Sequence, residues 1–165
     1  MDKFSFALIT LCILAAILPV QAFTVTSLTI ILAPDGDAEV DMQYDLSLIE
    51  QSAVFFKIAD PAAELKSAFD SHSREPVTVP EATSASALVL IPAFADVSSA
   101  TGKVTMVTPG LSFAKAQQAM DEYWFAPLIS PDFSPEITTV IFPDGHKAMY
   151  YNTLSLPSVS HTLQP

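Results

Sequence analysis

Three histidines, a string of carboxylates and one aromatic triplet are the residues of this chain equipped to do chemistry. His72, His146 and His161 stand far apart, and none belongs to a His-Glu-x-x-His pattern or has a second histidine at helical spacing. The arrangement by which one helix face offers two imidazoles to a zinc ion is therefore missing. Asp70-Ser71-His72-Ser73 holds the residue types of a nucleophilic triad in consecutive positions. Triads are assembled from distant segments, so four neighbours in a polar stretch read as solvated linker. There is no Gly-x-Ser-x-Gly elbow, and four glycines in the whole chain cannot build a phosphate-cradling loop.

Asp35, Asp37, Glu39 and Asp41 cluster the oxygen ligands that a hard cation such as Ca²⁺ takes. Their spacing departs from an EF-hand loop, with Val40 where the turn glycine belongs and no closing glutamate. The weightier reading is a solvated strand face whose like charges discourage edge pairing. Asp132 and Glu136 read the same way. Tyr123-Trp124-Phe125 is the densest aromatic patch and the one candidate for contact with a partner or ligand. Against that, Phe113, Ala116, Met120 and Tyr123/Trp124 recur at three and four residues, which fits a helix anchored onto a core. No catalytic, cofactor-binding or metal-ligating residue is assigned.

The elements that must position these residues read as short strands and helices. Phe23 to Leu46 is a hairpin: Val, Ile and Thr first, the turn Pro34-Asp35-Gly36-Asp37, then strict alternation of Glu39, Asp41, Gln43 and Asp45 with Val40, Met42, Tyr44 and Leu46. Ser47 and Glu50 form a capping box opening an apolar helix to about Ile58, and Asp60-Pro61 starts a second helix to about Phe69. Ser71 to Ser86 reads as a loop with a short extended piece at Val77-Thr78-Val79. Ala87 to Phe94, apolar on both faces, predicts a central strand, and Lys103 to Thr108 another. Ser112 caps a third helix, and Pro127, Pro131 and Pro135 make an irregular link. Ile137 to Phe142 and Lys147 to Asn152 repeat the hairpin around Pro143-Asp144-Gly145-His146, with one ring of Tyr150-Tyr151 on each face. The order β-β-α-α-β-β-α-β-β predicts an α+β class: an antiparallel or mixed sheet of two hairpins plus central strands, with about three helices packed on one face. An all-β sandwich is the competing architecture, because the two middle helices are short.

Residues 1–22 read as a secretory signal. Lys3 supplies a basic start, Phe4 to Val20 is apolar, and Val20-Gln21-Ala22 suits a signal peptidase. Residues 23–165 then form one domain, with 153–165 an extended tail. The only cysteine, Cys12, lies in the signal, so the mature chain offers no disulfide and no thiolate. Lys3 and Asp2 offset one another, which leaves the mature part at the whole chain's net charge of −11. A polyanion without a Lys/Arg cluster gains nothing from counterion release, so nucleic acid is not a partner. Membrane contact is expected only through an uncleaved signal.

The segment Tyr123-Trp124-Phe125-Ala126-Pro127-Leu128-Ile129-Ser130-Pro131-Asp132-Phe133-Ser134-Pro135 carries a family texture together with the Phe142-Pro143-Asp144-Gly145 turn and the closing Ser158-Val159-Ser160-His161. On these motifs the chain resembles a family of small exported proteins of methanogenic archaea. The resemblance implies a cell-surface setting in an archaeon and carries no activity or catalytic residue. Together the residues predict a non-catalytic, extracytoplasmic domain that binds or assembles with other envelope proteins, without a cofactor. Two readings compete: a carrier of a small apolar ligand near Trp124, and a secreted hydrolase using carboxylates or His161. The oligomeric state stays open at this level.

Overall fold

A computed structural model describes residues 24–46, 61–70, 73–114, 118 and 132–164. Among them the chain is mostly β: strands β1 (Thr24–Leu32), β2 (Ala38–Asp45), β3 (Thr78–Ala82), β4 (Ser86–Ile91), β5 (Asp96–Ala100), β6 (Lys103–Val107), β7 (Leu111–Ser112), β8 (Ile137–Ile141), β9 (Lys147–Tyr151), β10 (Ser155–Leu156) and β11 (Ser160–Thr162), with one helix, α1 (Pro61–Asp70). This overturns the α+β expectation of three helices packed on one face. Helix α1 forms where a start was read at Pro61, whereas the helices read from Ser47 and Ser112 fall on residues 47–58 and 113–124, which lie almost wholly outside the described residues. Ser112 itself sits in a strand.

The extra strands account for the correction. β5 has the sequence Asp-Val-Ser-Ser-Ala with every residue exposed, so no apolar alternation advertises it. Its extended form is imposed by antiparallel pairing with β6, Asp96 to Val107 through Ala100 to Lys103. The tail is likewise paired, β10 with β7 and β11 with β6.

Six strands form the main sheet in the order β3-β4-β2-β1-β8-β9. The β1–β2 hairpin and the β8–β9 hairpin are antiparallel, and they meet through the parallel pair β1–β8, which makes the sheet mixed. The two hairpin turns are built alike. Gly36 donates its N–H to the Ala33 carbonyl and Gly145 to that of Phe142, each with a positive φ, and the turn aspartates accept an N–H two residues on. Proline presetting φ, aspartate closing an Asx turn and glycine taking positive φ explain why both sequences turn at the same place.

Alternation then sorts the sheet into two faces. Leu28, Ile30 and Leu32 of β1, Val40, Met42 and Tyr44 of β2, and Ala87, Val89 and Ile91 of β4 are buried on one side. Met106 of β6, Ala95, Phe113 and Leu156 join the same core cluster, so the two smaller sheets share the interior with the large one. Helix α1 lies against β3 and β4, and its Phe69 reaches that core.

One core position is imperfect. Thr138 is fully buried between Leu28 and Tyr150 in the sheet register, and its Oγ1 has no hydrogen-bond partner. A buried hydroxyl left unpaired costs about 1–3 kcal/mol, and valine has nearly the same shape. Thr138→Val is expected to stabilise the domain by about 1 kcal/mol, raising Tm by about 2–4 °C. Thermal unfolding of the two proteins checks this, and a lower Tm for the valine variant would contradict it.

Candidate functional site

The sequence singled out Tyr123, Trp124 and Phe125 for binding; all three lie outside the described residues, as do Ser71 and His72. Asp70 and Ser73, which flank His72, have structural jobs. Asp70 accepts the Val77 N–H at 2.7 Å and Lys66 Nζ at 2.8 Å, and these contacts hold its carboxyl below the usual range. Ser73 Oγ donates to the Phe69 carbonyl at 2.8 Å. Both side chains finish the C-terminal end of α1 and lead the chain into β3.

The acidic string of the first hairpin is dispersed by its own hydrogen bonds. Asp35 closes the turn, Asp37 Oδ1 accepts the Ala93 N–H at 2.8 Å, and Asp41 Oδ1 accepts Gln43 Nε2 at 2.6 Å. Glu39 and Asp41 sit on the outer sheet face and Asp35 and Asp37 in the turn, so the four carboxylates do not converge. No group of three His, Cys, Asp or Glu able to hold a metal ion occurs among the described residues.

A cluster that sequence reasoning did not assemble lies at the second hairpin turn. His161 Nε2 is 2.8 Å from Asp144 Oδ2, with the two side chains only 15% and 9% exposed. Asp144 Oδ2 also accepts the Gln164 N–H at 2.9 Å, while its Oδ1 accepts the His146 N–H. A carboxylate can only accept, so Nε2 of His161 carries the proton in this contact. The imidazoles of His146 and His161 stack at 4.0 Å, and the buried Phe142 ring tilts against both. The backbone N–H of Gln164, with His161 beside it, holds the Asp144 carboxyl far below the usual carboxylate range.

Chemically, an aspartate orienting an imidazole is half of a triad. The other half is missing among the described residues: no hydroxyl is hydrogen-bonded to either imidazole. All the acceptor capacity of Asp144 that these contacts use goes to backbone and to His161, so the cluster acts as a latch tying the tail strand β11 to the β8–β9 turn. The turn motif Pro143-Asp144-Gly145-His146 places Asp144 and His146 together in sequence. The approach of His161 depends on β11 pairing with β6, which no local pattern encodes.

The outer face of the six-stranded sheet is the other candidate. Along its rows Leu90, Glu39, Ile31, Ile141 and Lys147 lie side by side, then Leu88, Asp41, Thr29, Thr139 and Met149. Ile31, Leu90, Met149 and Tyr151 are exposed. A shallow depression of about 310 Å³, open to solvent, lies at one end of this face, lined by Ile31, Glu39, Leu90 and Pro92 among others. Four exposed apolar side chains share this face, with Glu39 between Leu90 and Ile31 and with Met149 and Tyr151 on the edge strand, which leaves apolar area in contact with water.

Comparison with protein-family models, with curated proteins and with solved structures finds no match for this chain. No helix among the described residues is long and apolar enough to cross a membrane.

Proposed function

We propose that the protein is an exported, non-catalytic domain of the archaeal cell surface that works by binding or assembling with other envelope proteins. The observation that carries the reading is the outer face of the six-stranded sheet, where Ile31, Leu90, Met149 and Tyr151 stand exposed beside Glu39 and Asp41. Leaving such apolar area in water costs free energy that a contact recovers. The signal-like residues 1–22 and the resemblance to exported archaeal proteins support the extracytoplasmic setting. The carrier reading rests on a pocket near Trp124, which lies outside the described residues, and the open depression beside Leu90 and Pro92 is a different place.

The test is photo-crosslinking in the native envelope from a reactive residue placed at Leu90 or Ile31, with Lys103 on the small sheet as the control position. The expected result is a discrete adduct with an envelope protein from the outer-face positions alone, on a chain whose intact mass begins at Phe23 or retains the signal in the membrane fraction. Equal labelling from both faces, or a protein found only in the cytoplasm, would refute the reading.

A further inference from the structure

The six-stranded sheet has two edges, and they are treated differently. At one edge, β3 carries Pro80 and Glu81, its register with β4 is broken between Thr78 and Glu81, and α1 lies against it. Proline, a charge, an irregularity and a covering helix are the usual means of blunting an edge. At the other edge, β9 runs Lys147-Ala148-Met149-Tyr150-Tyr151 in unbroken register with β8. It has neither proline nor carboxylate. In a chain of net charge −11, that edge is free of negative side chains.

The bonds at both ends of the hairpin fix which backbone groups of β9 have no partner among the described residues. Phe142 donates its N–H to the His146 carbonyl, and Asn152 shares its N–H between the carbonyls of Pro135 at 3.0 Å and Glu136 at 3.3 Å. Hydrogen-bonded pairs recur at every second residue of an antiparallel ladder, so Ala148 bonds Val140 and Tyr150 bonds Thr138. Lys147, Met149 and Tyr151 therefore turn their N–H and C=O groups outward. The side chains of Met149 and Tyr151 are 48% and 61% exposed on the outer face.

The geometry points to β9 as a self-association strand: two copies of this chain pair antiparallel, edge to edge, about a two-fold axis at Met149. That register sets the outward groups of each strand opposite those of the other. It also makes the side chains complementary. Met149 meets Met149 of the second copy, and each Lys147 lies opposite a Tyr151, where ammonium and ring attract. Like charges never face each other across this register, whereas a parallel arrangement would set lysine beside lysine. The edge strand β5 of the three-stranded sheet is a poorer template for a second copy, because it presents Asp96. An isologous contact of this kind closes on itself as a dimer.

Five-residue strands bury less than the about 1,200–2,000 Å² of a stable interface, so the dimer is weak in solution and favoured where the chains are concentrated at a surface. The inference rests on the binding reading above for its exposed face, but it names a different partner and is read by a different measurement.

The experiment is sedimentation velocity of the purified chain over two decades of concentration, with amide exchange recorded at both extremes. The expected result is a monomer–dimer equilibrium in which the Lys147, Met149 and Tyr151 amides slow with concentration while those of Ala148 and Tyr150 do not. Met149→Pro removes one outward N–H without touching a bond to β8, and should leave a monomer throughout. Should that variant fail to fold, Lys147→Glu replaces the cation facing Tyr151 and should weaken the dimer at least tenfold. A wild-type monomer across the whole series overturns the inference, as does a dimer that both variants leave intact. Outer-face crosslinks to another envelope protein would survive either failure, so the two readings fail separately.

Discussion

Replacing Gly36 by alanine is expected to destabilise the domain by about 3–5 kcal/mol, a large share of the 5–15 kcal/mol that holds a typical domain together. Two costs combine. The residue sits at φ +98°, where an L side chain is strained, and a β-carbon there would meet the Ala95 carbonyl oxygen at 2.5 Å. That oxygen belongs to backbone held in place by the same turn, since Ala95 donates its N–H to the Gly36 carbonyl at 2.8 Å. Nor can the neighbour give way by a side-chain rotation. Gly145 supplies the control, because it takes φ +84° in a turn of the same sequence and a β-carbon there would meet nothing. Gly145→Ala is expected to cost only about 1 kcal/mol, the conformational part alone. Urea unfolding midpoints of the two variants measure the difference, and equal midpoints would refute the close approach between the first hairpin and the β4–β5 connection.

Acidification is expected to release the C-terminal strand, and Asp144→Asn to do the same at neutral pH. The Asp144 carboxyl is depressed in the folded protein by the Gln164 N–H and His161, so its ionised form is the one the fold favours. A group whose folded pKa lies below its unfolded value of about 3.9 contributes stability above that value, and the contribution fades as pH falls toward the folded one. Stability of the wild-type chain should therefore decline as pH drops below about 4. With Asp144→Asn that part of the slope should vanish. Asparagine offers one acceptor oxygen and an NH₂ group where three donors converge, from Gln164, His146 and His161. Amide exchange should show β11 and Gln164 losing protection in the variant while β1 and β2 keep theirs. Unchanged protection in β11 would show that its pairing with β6 suffices without the latch.

The two Pro-Asp-Gly turns illustrate how far a short motif reaches. Pro-Asp-Gly appears twice and twice makes the same turn, because proline, aspartate and glycine each act within four residues. What the turns then touch differs entirely: Gly36 presses on Ala95, while Asp144 captures His161 and the Gln164 backbone. Those partners arrive from 59, 17 and 20 residues away, through strand pairings that no local preference specifies.

By itself the sequence determined the hairpins β1–β2 and β8–β9, the turns that close them and the buried face of β2, since period-two alternation and turn chemistry are local signals, whereas β4, apolar on both faces in sequence, buries one face and leaves Leu90 of the other exposed. It equally determined the acidity that bears on any partner. Only the tertiary structure decided that the described residues are mostly β, for β5 and β11 are polar or short strands that exist through their neighbours. It alone set β8 parallel to β1, so that β9 became an edge, and it alone brought His161 to Asp144. Pairing between distant strands pays loop-closure entropy for contacts that no window of sequence contains, which is why these features become visible only once the sheet is assembled.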